Sequence, residues 1–337
     1  MTTPQIVVIG SLNTDLITRT TRIPAAGETL ISQSFDTGSG GKGANQAVAC
    51  ARLSRKSNSV QSGNVAVRMV GAVGSDTFGH DLVSDLNGNG IDTTGVRARD
   101  EERSGVAVII VDEQTGENRI LMSPNANYSL RPSDFQTLST PLPDLIVLQL
   151  EIPLDTTLQI LKVAKGKGVE VLLNPAPAQN LPKEAWEAVT HLIVNESEAS
   201  VITNIMEDKP SWLKWGEHTE RIVALGVRHV TITLGAEGVV YLDTRLRKFW
   251  LYRANQVKVV DTTAAGDTFV GAYAVAIIRQ KGHKGNVAAA VKWANVAAAK
   301  TVERKGAQAA IPWLDEVEPF DANAWEDDVV STMKADK

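Results

Sequence analysis

Cysteine is almost missing from this chain: Cys50 is the single one in 337 residues, which excludes an internal disulfide and a zinc centre built from paired thiolates. No apolar run reaches the ~18 residues that a membrane-spanning helix needs, so no membrane role is expected. The opening residues, Met1-Thr-Thr-Pro-Gln5, place no basic segment ahead of an apolar one, which argues against a targeting peptide and for a cytoplasmic location. Charge of one sign is not in large excess either. The 34 Lys and Arg against 39 Asp and Glu leave a net charge of −5, and mild acidity argues against nonspecific binding to nucleic acid or to an anionic membrane surface. Internal repeats and low-complexity tracts are missing. So is any Ser-His-Asp or Cys-His arrangement: His80, His191, His218, His229 and His283 are scattered without metal-ligand spacing.

What is there reads as an ordinary globular chain, with 43% apolar and 22% charged residues. At ~150 residues per domain the length allows two domains, or one large α/β unit. Short β-branched runs at 6–9, 67–73, 145–150, 169–173, 192–194 and 230–234 predict buried strands. Helical patterns lie between most of them, as with Ala44, Ala47, Val48 and Ala51 at i, i+3, i+4 and i+7. Strands alternating with helices predict a mostly parallel sheet covered on both faces. Two regions break the alternation and predict antiparallel ribbons of a small separate sheet: 16–20 with 28–35, and 106–112 with 118–122. Segments 241–243 and 248–252 predict a further hairpin at an edge. Three stretches read as surface insertions or tails: 54–64, 206–220 and the acidic residues after Asp315. Trp212 and Trp215 are expected to anchor a surface helix rather than to stack on a ligand.

Ligands of open parallel sheets bind beyond the carboxyl ends of the strands. In that place stand Asn13 and Asp15, Glu151, Asn174-Pro-Ala-Pro177, Asn195-Glu-Ser-Glu198, and Thr233 with Gly235-Ala-Glu-Gly238. Each alone suits a turn or a helix cap; five on one edge favour a binding cleft. Two glycine-led helix starts sharpen this. Gly38-Ser-Gly-Gly-Lys-Gly-Ala-Asn-Gln46 lacks the Gly-Lys-Ser/Thr of a P-loop, yet it lets the backbone approach a ligand, with Lys42 and Asn45 as donors to hydroxyls. A plain flexible helix start explains that segment equally well. In Asp261-Thr-Thr-Ala-Ala-Gly-Asp-Thr-Phe269, small residues Ala264, Ala265 and Gly266 leave N–H groups free at a helix start, a ready anion site. Asp267 in that first turn either complements the helix dipole or serves as general base beside a transferring phosphoryl group; the company of the other segments favours the base. Glu196 and Glu198 suit a helix first turn and a Mg²⁺-positioning role equally.

Together these segments resemble the PfkB-type, or ribokinase-family, carbohydrate kinases over residues 6 to about 312. The segments that carry the resemblance are Gly10-Ser-Leu-Asn-Thr-Asp15, Gly40-Gly-Lys-Gly-Ala-Asn-Gln46, Asn174-Pro-Ala-Pro-Ala178, Asn195-Glu-Ser-Glu198, Thr233-Leu-Gly235, the segment 261–269 and Arg304-Lys-Gly-Ala-Gln308, all in the family's order. The resemblance implies a ribokinase-like three-layer α/β/α fold whose mostly parallel sheet carries a small β-sheet lid. Its implied boundaries are a core of 1–15, 37–97 and 124–320, a lid of 16–36 and 98–123 that also forms a homodimer contact, and an acidic tail of 321–337.

The implied activity is ATP-dependent phosphorylation of D-ribose at O5. Asn13, Thr14, Asp15, Gly41, Lys42, Gly43, Ala44, Asn45 and Glu151 are then expected around the sugar. Asp267 is expected to deprotonate O5 while the N–H groups of Ala264, Ala265 and Gly266 hold the phosphoryl group. Asn195, Thr233, Leu234, Gly235, Ala236, Glu237, Gly238 and Asn295 are expected along the ATP site, and Glu198 to act through Mg²⁺. Asp261, Thr263, Thr301, Arg304, Gly306 and Ala310 are expected around an activating K⁺, largely through backbone carbonyls. Asn295 stands where some members have His, and Ala310 has no side chain able to ligate. Two rival functions are a family kinase for another sugar or a nucleoside, and a catalytically silent sugar- or nucleotide-binding regulator.

Overall fold

The computed structural model describes residues 3–115, 117–205, 212–243, 248–280, 286–317, 319 and 332–334. Elements are numbered in chain order. The main sheet has ten strands: β1 (Gln5–Ile9), β4 (Ala66–Gly74), β5 (Asp92–Arg99), β8 (Leu145–Leu148), β9 (Glu170–Leu173), β10 (His191–Asn195), β11 (His229–Thr233), β12 (Val239–Asp243), β13 (Lys248–Tyr252) and β14 (Thr332–Lys334). They lie in the order β14-β13-β12-β11-β10-β9-β8-β1-β4-β5. The seven from β11 to β5 run parallel, and β12, β13 and β14 are added antiparallel.

Helices cover both faces, which is why the central strands read as continuous apolar runs. Alternate residues of one strand enter two separate cores. Ile6 and Val8 of β1 pack with α1 (Lys42–Arg52), α2 (Thr77–Gly88), α7 (Ala265–Arg279) and α8 (Val287–Thr301). Val7 and Ile9 pack with α3 (Leu154–Lys167), α4 (Lys183–Trp186), α5 (Glu196–Thr203) and α6 (Trp212–Ala224). Among the described residues no helix is long and apolar enough to cross a membrane.

One helix contact matters most for the site. Small residues of α1 allow α7 to approach almost backbone to backbone: a Cβ on Gly271 would lie 2.8 Å from the Cys50 nitrogen. This contact draws together the first turns of α1 and α7.

The small sheet has the order β3-β2-β6-β7, from β2 (Asn13–Thr20), β3 (Ser34–Gly40), β6 (Gly105–Asp112) and β7 (Asn118–Ser123). β2 runs parallel to β6 and antiparallel to β3, while β7 runs antiparallel to β6. The partner of β2 is therefore Ser34–Gly40 and not 28–35: Leu16 faces Thr37 and Thr18 faces Phe35. The pattern misled because β3 consists largely of Gly, Ser and Asp, poor strand formers that pairing holds extended. The small sheet accordingly includes Asn13–Asp15 and Thr37–Gly40, beyond the boundaries expected at 15/16 and 36/37.

Other differences have similar causes. β5 carries no buried apolar run and is an edge strand with polar and exposed positions, and β14 falls within the stretch expected as an acidic tail. The stretch 54–64, expected as a surface insertion, is wrapped around Arg55, whose buried guanidinium donates to the carbonyls of Val60, Val65 and Gly90. Trp215 is buried, as expected of an anchor, whereas the Trp212 side chain and residues 206–211 lie outside the described residues. So does His283, and so does nearly all of the 321–337 tail.

Candidate active site

β1 ends at Ile9, and Gly10–Leu12 carry the chain from the main sheet into β2. Asn127 fixes this passage. Its Oδ1 accepts from the Leu12 N–H at 2.9 Å, and its Nδ2 donates to the Leu12 carbonyl at 3.0 Å and to Asn13 Oδ1 at 2.8 Å. Asn13, Thr14 and Asp15 are all buried. Next to them Gly41 adopts φ 86° as the residue before α1, and a Cβ there would lie 2.7 Å from the Asn13 nitrogen, so glycine is required on both counts. Gly43 packs against Ser11 in the same way, and the adjacent Ala44 N–H donates to the Ser11 carbonyl at 2.9 Å.

Glu151, just past β8, reaches into this junction. Its Oε2 accepts from the Ser11 hydroxyl at 2.5 Å and from the Lys42 N–H at 3.0 Å. Burial lifts the Glu151 carboxyl above its ordinary range, against the pull of the Ser11 hydroxyl and Lys42. Asp15 is pushed up to about 7, by burial first and then by the charges of Glu151 and Asp267. Burial opposes the charge of Lys42, but the carboxylates of Asp267, Glu151 and Glu198 outweigh it and raise its pKa. Four acids and one lysine thus share one electrostatic neighbourhood.

Asp267 sits in the first turn of α7 and is buried. The contact between α1 and α7 gives its carboxylate two amide donors: Asn45 Nδ2 lies 3.0 Å from Oδ2, and Gln46 Nε2 lies 2.9 Å from Oδ1. Asn45 Oδ1 is buried and has no protein partner, so it is free to accept from a ligand. Ala264, just before α7, has φ 60°, a left-handed conformation unusual for a residue with a Cβ, and supplies no side-chain cap. The Ala265 N–H turns back onto the Thr262 carbonyl at 3.3 Å, which leaves the Gly266 N–H presented beside Asp267, and a Cβ on Gly266 would meet nothing within 4 Å.

Along the same sheet edge, Asn195 closes the start of α5. Its Oδ1 accepts from the Glu198 N–H at 2.8 Å, while Glu198 Oε2 accepts from the Asn195 N–H at 2.9 Å. The acids here do the ordinary work of a helix first turn, and Glu198 still retains its other carboxylate oxygen. Burial, the leading influence, raises the Glu198 pKa. Thr233 ends β11 with its hydroxyl on the Val194 carbonyl, and Gly235–Glu237 form a 3₁₀ turn that Gly238 closes at φ 111°. The Leu234 side chain is buried in the core, so only its backbone faces this edge; Ala236 and Glu237 are exposed on the turn. Asn295 on α8 donates to the Arg253 carbonyl at 2.8 Å.

The loop before α7 and the loop after α8 are tied side by side. Val260 N–H donates to the Val302 carbonyl at 2.7 Å. Asp261 accepts from the Thr263 N–H and hydroxyl at 2.9 and 2.6 Å and from the Gly306 N–H at 3.0 Å. Burial would lift the Asp261 carboxyl, but these donors outweigh it and hold it below its ordinary range. The Thr301 hydroxyl bonds to that of Thr268 at 2.8 Å, Arg304 pairs with Glu316, and Ala310 is buried. Side chains here bond within and between the two loops. No group of three or more His, Cys, Asp or Glu able to hold a metal exists among the described residues.

Sequence reading left four buried polar residues without a role here: Ser11, Gln46, Asn127 and Gln149. Nothing in the local pattern marks them, because the partner of each lies far along the chain, as with the 140 positions between Ser11 and Glu151. A cavity of 380 Å³ opens beside Asp15, between the small sheet and Gly306–Ala309. A second, of 210 Å³, lies against β1 and β4 near Leu130 and Phe135, away from these groups.

Comparison with known proteins agrees with this arrangement. The model of the pfkB family carbohydrate kinases matches residues 3–314. A ribokinase of Schizosaccharomyces pombe is 41% identical over 319 residues, covering 93% of this chain and 96% of the relative. A deoxyribokinase of Salmonella typhi is 36% identical, covering 94% of this chain and 98% of the relative. The solved structure of Arabidopsis thaliana ribokinase complexed with ribose and ATP superposes with a TM-score of 0.80 at 28% identity, covering 94% of this chain and 97% of that one. A family match over nearly the whole length, with relatives of this identity and coverage, leads to one conclusion: the chain belongs to the PfkB family of carbohydrate kinases.

Proposed function

We propose that this chain is an ATP-dependent ribose kinase that transfers the γ-phosphoryl group of ATP to O5 of D-ribose. One observation carries the reading. The buried Asp267 carboxylate, held by two amides, stands in the uncapped first turn of a helix and shares its surroundings with Asp15 and Glu151. Phosphoryl transfer asks a protein chiefly for positioning and charge stabilisation, and these groups supply both. Asn13, Asp15 and Asn45 hold the sugar hydroxyls. Asp267 takes the proton from O5 as that oxygen attacks the γ-phosphorus. The bond from the γ-phosphorus to the bridging oxygen breaks, and ADP leaves with that electron pair. N–H groups of Ala264 and Gly266, and of Ala265 once it leaves the Thr262 carbonyl, receive the charge of the moving phosphoryl group.

Asn195, the turn after Thr233, and Asn295 line the nucleotide side. The donor set fits Mg²⁺ carried in by the phosphates, since Glu198 offers one carboxylate oxygen and no all-protein cage is present among the described residues. Bound there, the ion neutralises phosphate charge. The paired loops of Asp261 and Gly306 fit a monovalent cation held by carbonyl oxygens, K⁺ in our reading, with Thr263, Thr301, Arg304 and Ala310 contributing backbone only. Phe35, Ile120, Leu121 and Met122 are exposed apolar residues on the small sheet, which supports a homodimer formed through it.

The similarity to a deoxyribokinase favours 2-deoxyribose as the second candidate substrate. ADP release measured with ribose, 2-deoxyribose, a hexose and a nucleoside tests the proposal. Turnover fastest on ribose is expected; preference for another acceptor reassigns the substrate, and no sugar-dependent ADP release rejects kinase activity.

A further inference from the structure

Gln46 is completely buried, yet every polar atom of its side chain is engaged. Its Nε2 donates to Asp267 Oδ1 at 2.9 Å and to Asn174 Oδ1 at 3.0 Å, and its Oε1 accepts from Gln149 Nε2 at 2.6 Å. The amide has only one workable orientation. Asn174 donates its own Nδ2 to the Ile193 carbonyl at 2.9 Å, so it must turn its oxygen toward Gln46. Gln149 presents an N–H from the other side. A flipped Gln46 would set oxygen against the oxygens of Asn174 and Asp267, and N–H against N–H. The sheet edge, through residues following β8 and β9, thus dictates which atom of Gln46 meets Asp267.

Asn45 makes a useful contrast. It also donates to Asp267, but its own Oδ1 has no protein partner, as suits a residue that exchanges contacts with substrate. Gln46 has nothing left to offer a ligand. A core position needing bulk alone is filled more cheaply by an apolar side chain of similar length, because burying an amide costs free energy unless each group is matched.

We propose that Gln46 is a positioning residue for the phosphoryl transfer. It fixes the plane of the Asp267 carboxylate and compensates for its lost water, without touching sugar or nucleotide. This rests on the assignment of Asp267 as the proton acceptor.

The test compares wild type with Gln46→Met and Gln149→Met in kcat, KM and the pH profile of kcat, and repeats Gln46→Met in an Asp267→Asn background. Gln46→Met should lower kcat about 10–100-fold with both KM values little changed, the size of effect seen when a reacting group loses its support. The acid limb of kcat should move to higher pH, because a buried carboxylate that loses an N–H donor holds its proton more tightly. Gln149→Met should shift the limb the same way by less. In the Asp267→Asn background, Gln46→Met should cost nothing more. A wild-type kcat with an unmoved limb overturns the proposal, and so does an equal loss with and without Asp267. Should Gln46→Met fail to fold, the limb of Gln149→Met decides: moved supports the role, unmoved refutes it. Normal turnover of Asp267→Asn alone instead overturns the underlying assignment.

Discussion

The carboxylate of Asp15 occupies the space that a side chain on Gly40 would need. The two residues belong to neighbouring strands, and the bare glycine lets the acid lie flat across β3 at the mouth of the pocket. Gly40→Ala should therefore displace Asp15 and weaken the sugar contact while leaving nucleotide binding intact. Losing hydrogen bonds to a charged group costs about 1.5–3 kcal/mol, so the sugar KM should rise about 10–100-fold with the ATP KM unchanged. Steady-state kinetics in both substrates check this.

Asp15 is pushed up to about 7 by burial and by the nearby acids. Below that pH it carries a proton and accepts fewer hydrogen bonds from hydroxyls; above it the carboxylate is available. The sugar KM should accordingly climb as pH falls through about 7 and level off above it. Asp15→Asn should raise KM at every pH and flatten the profile. A wild-type KM that stays constant from about one pH unit below the raised Asp15 value to about one above it would contradict the assignment.

Asp267→Asn keeps the shape of the side chain and removes its capacity to take a proton. The expected loss in kcat is roughly 10²–10⁴-fold, the range for a general base. Sugar binding should be altered far less, which isothermal titration with sugar alone can measure.

Replacing K⁺ by Na⁺ or Tris should slow turnover if the paired loops hold a monovalent cation. Asp261→Ala removes the acceptor that ties Thr263 to Gly306, and the variant should lose its response to K⁺. Rates in each salt at fixed ionic strength give the answer.

Leu121 is 67% exposed on β7, where Ile120 and Met122 are exposed as well. A charge at this position should split a dimer formed through the small sheet. Leu121→Glu is expected to sediment as a monomer while the wild type sediments as a dimer; equal sedimentation would place any interface elsewhere.

The sequence revealed most of the central sheet because strands such as β1 and β8 are buried on both faces and leave continuous apolar runs. It concealed β3 and β5, whose polar residues are held extended by neighbours that a local pattern cannot contain. The site was unevenly visible for the same reason. Asn45 and Asp267 stood in glycine-led segments and are in contact in the folded chain at 3.0 Å. Gln46 belongs to one of those segments, but nothing local sets it apart: its partners Gln149, Asn174 and Asp267 are 103, 128 and 221 positions away. The roll of buried amides becomes meaningful only once packing of α1 on α7 has been established.

Asn13, Asp15 and the segment Gly38–Gly40 are strand residues of the small sheet, whereas Asp267 and its amide donors ride on two helices locked together beneath it. The groups proposed to hold the sugar and the proposed proton acceptor therefore belong to two different layers, joined through Gly10–Leu12. On the proposed function, a displacement of that sheet about Gly10–Leu12 would carry Asn13 and Asp15 away from Asp267, and a sugar hydroxyl would lose its grip and its proton acceptor together.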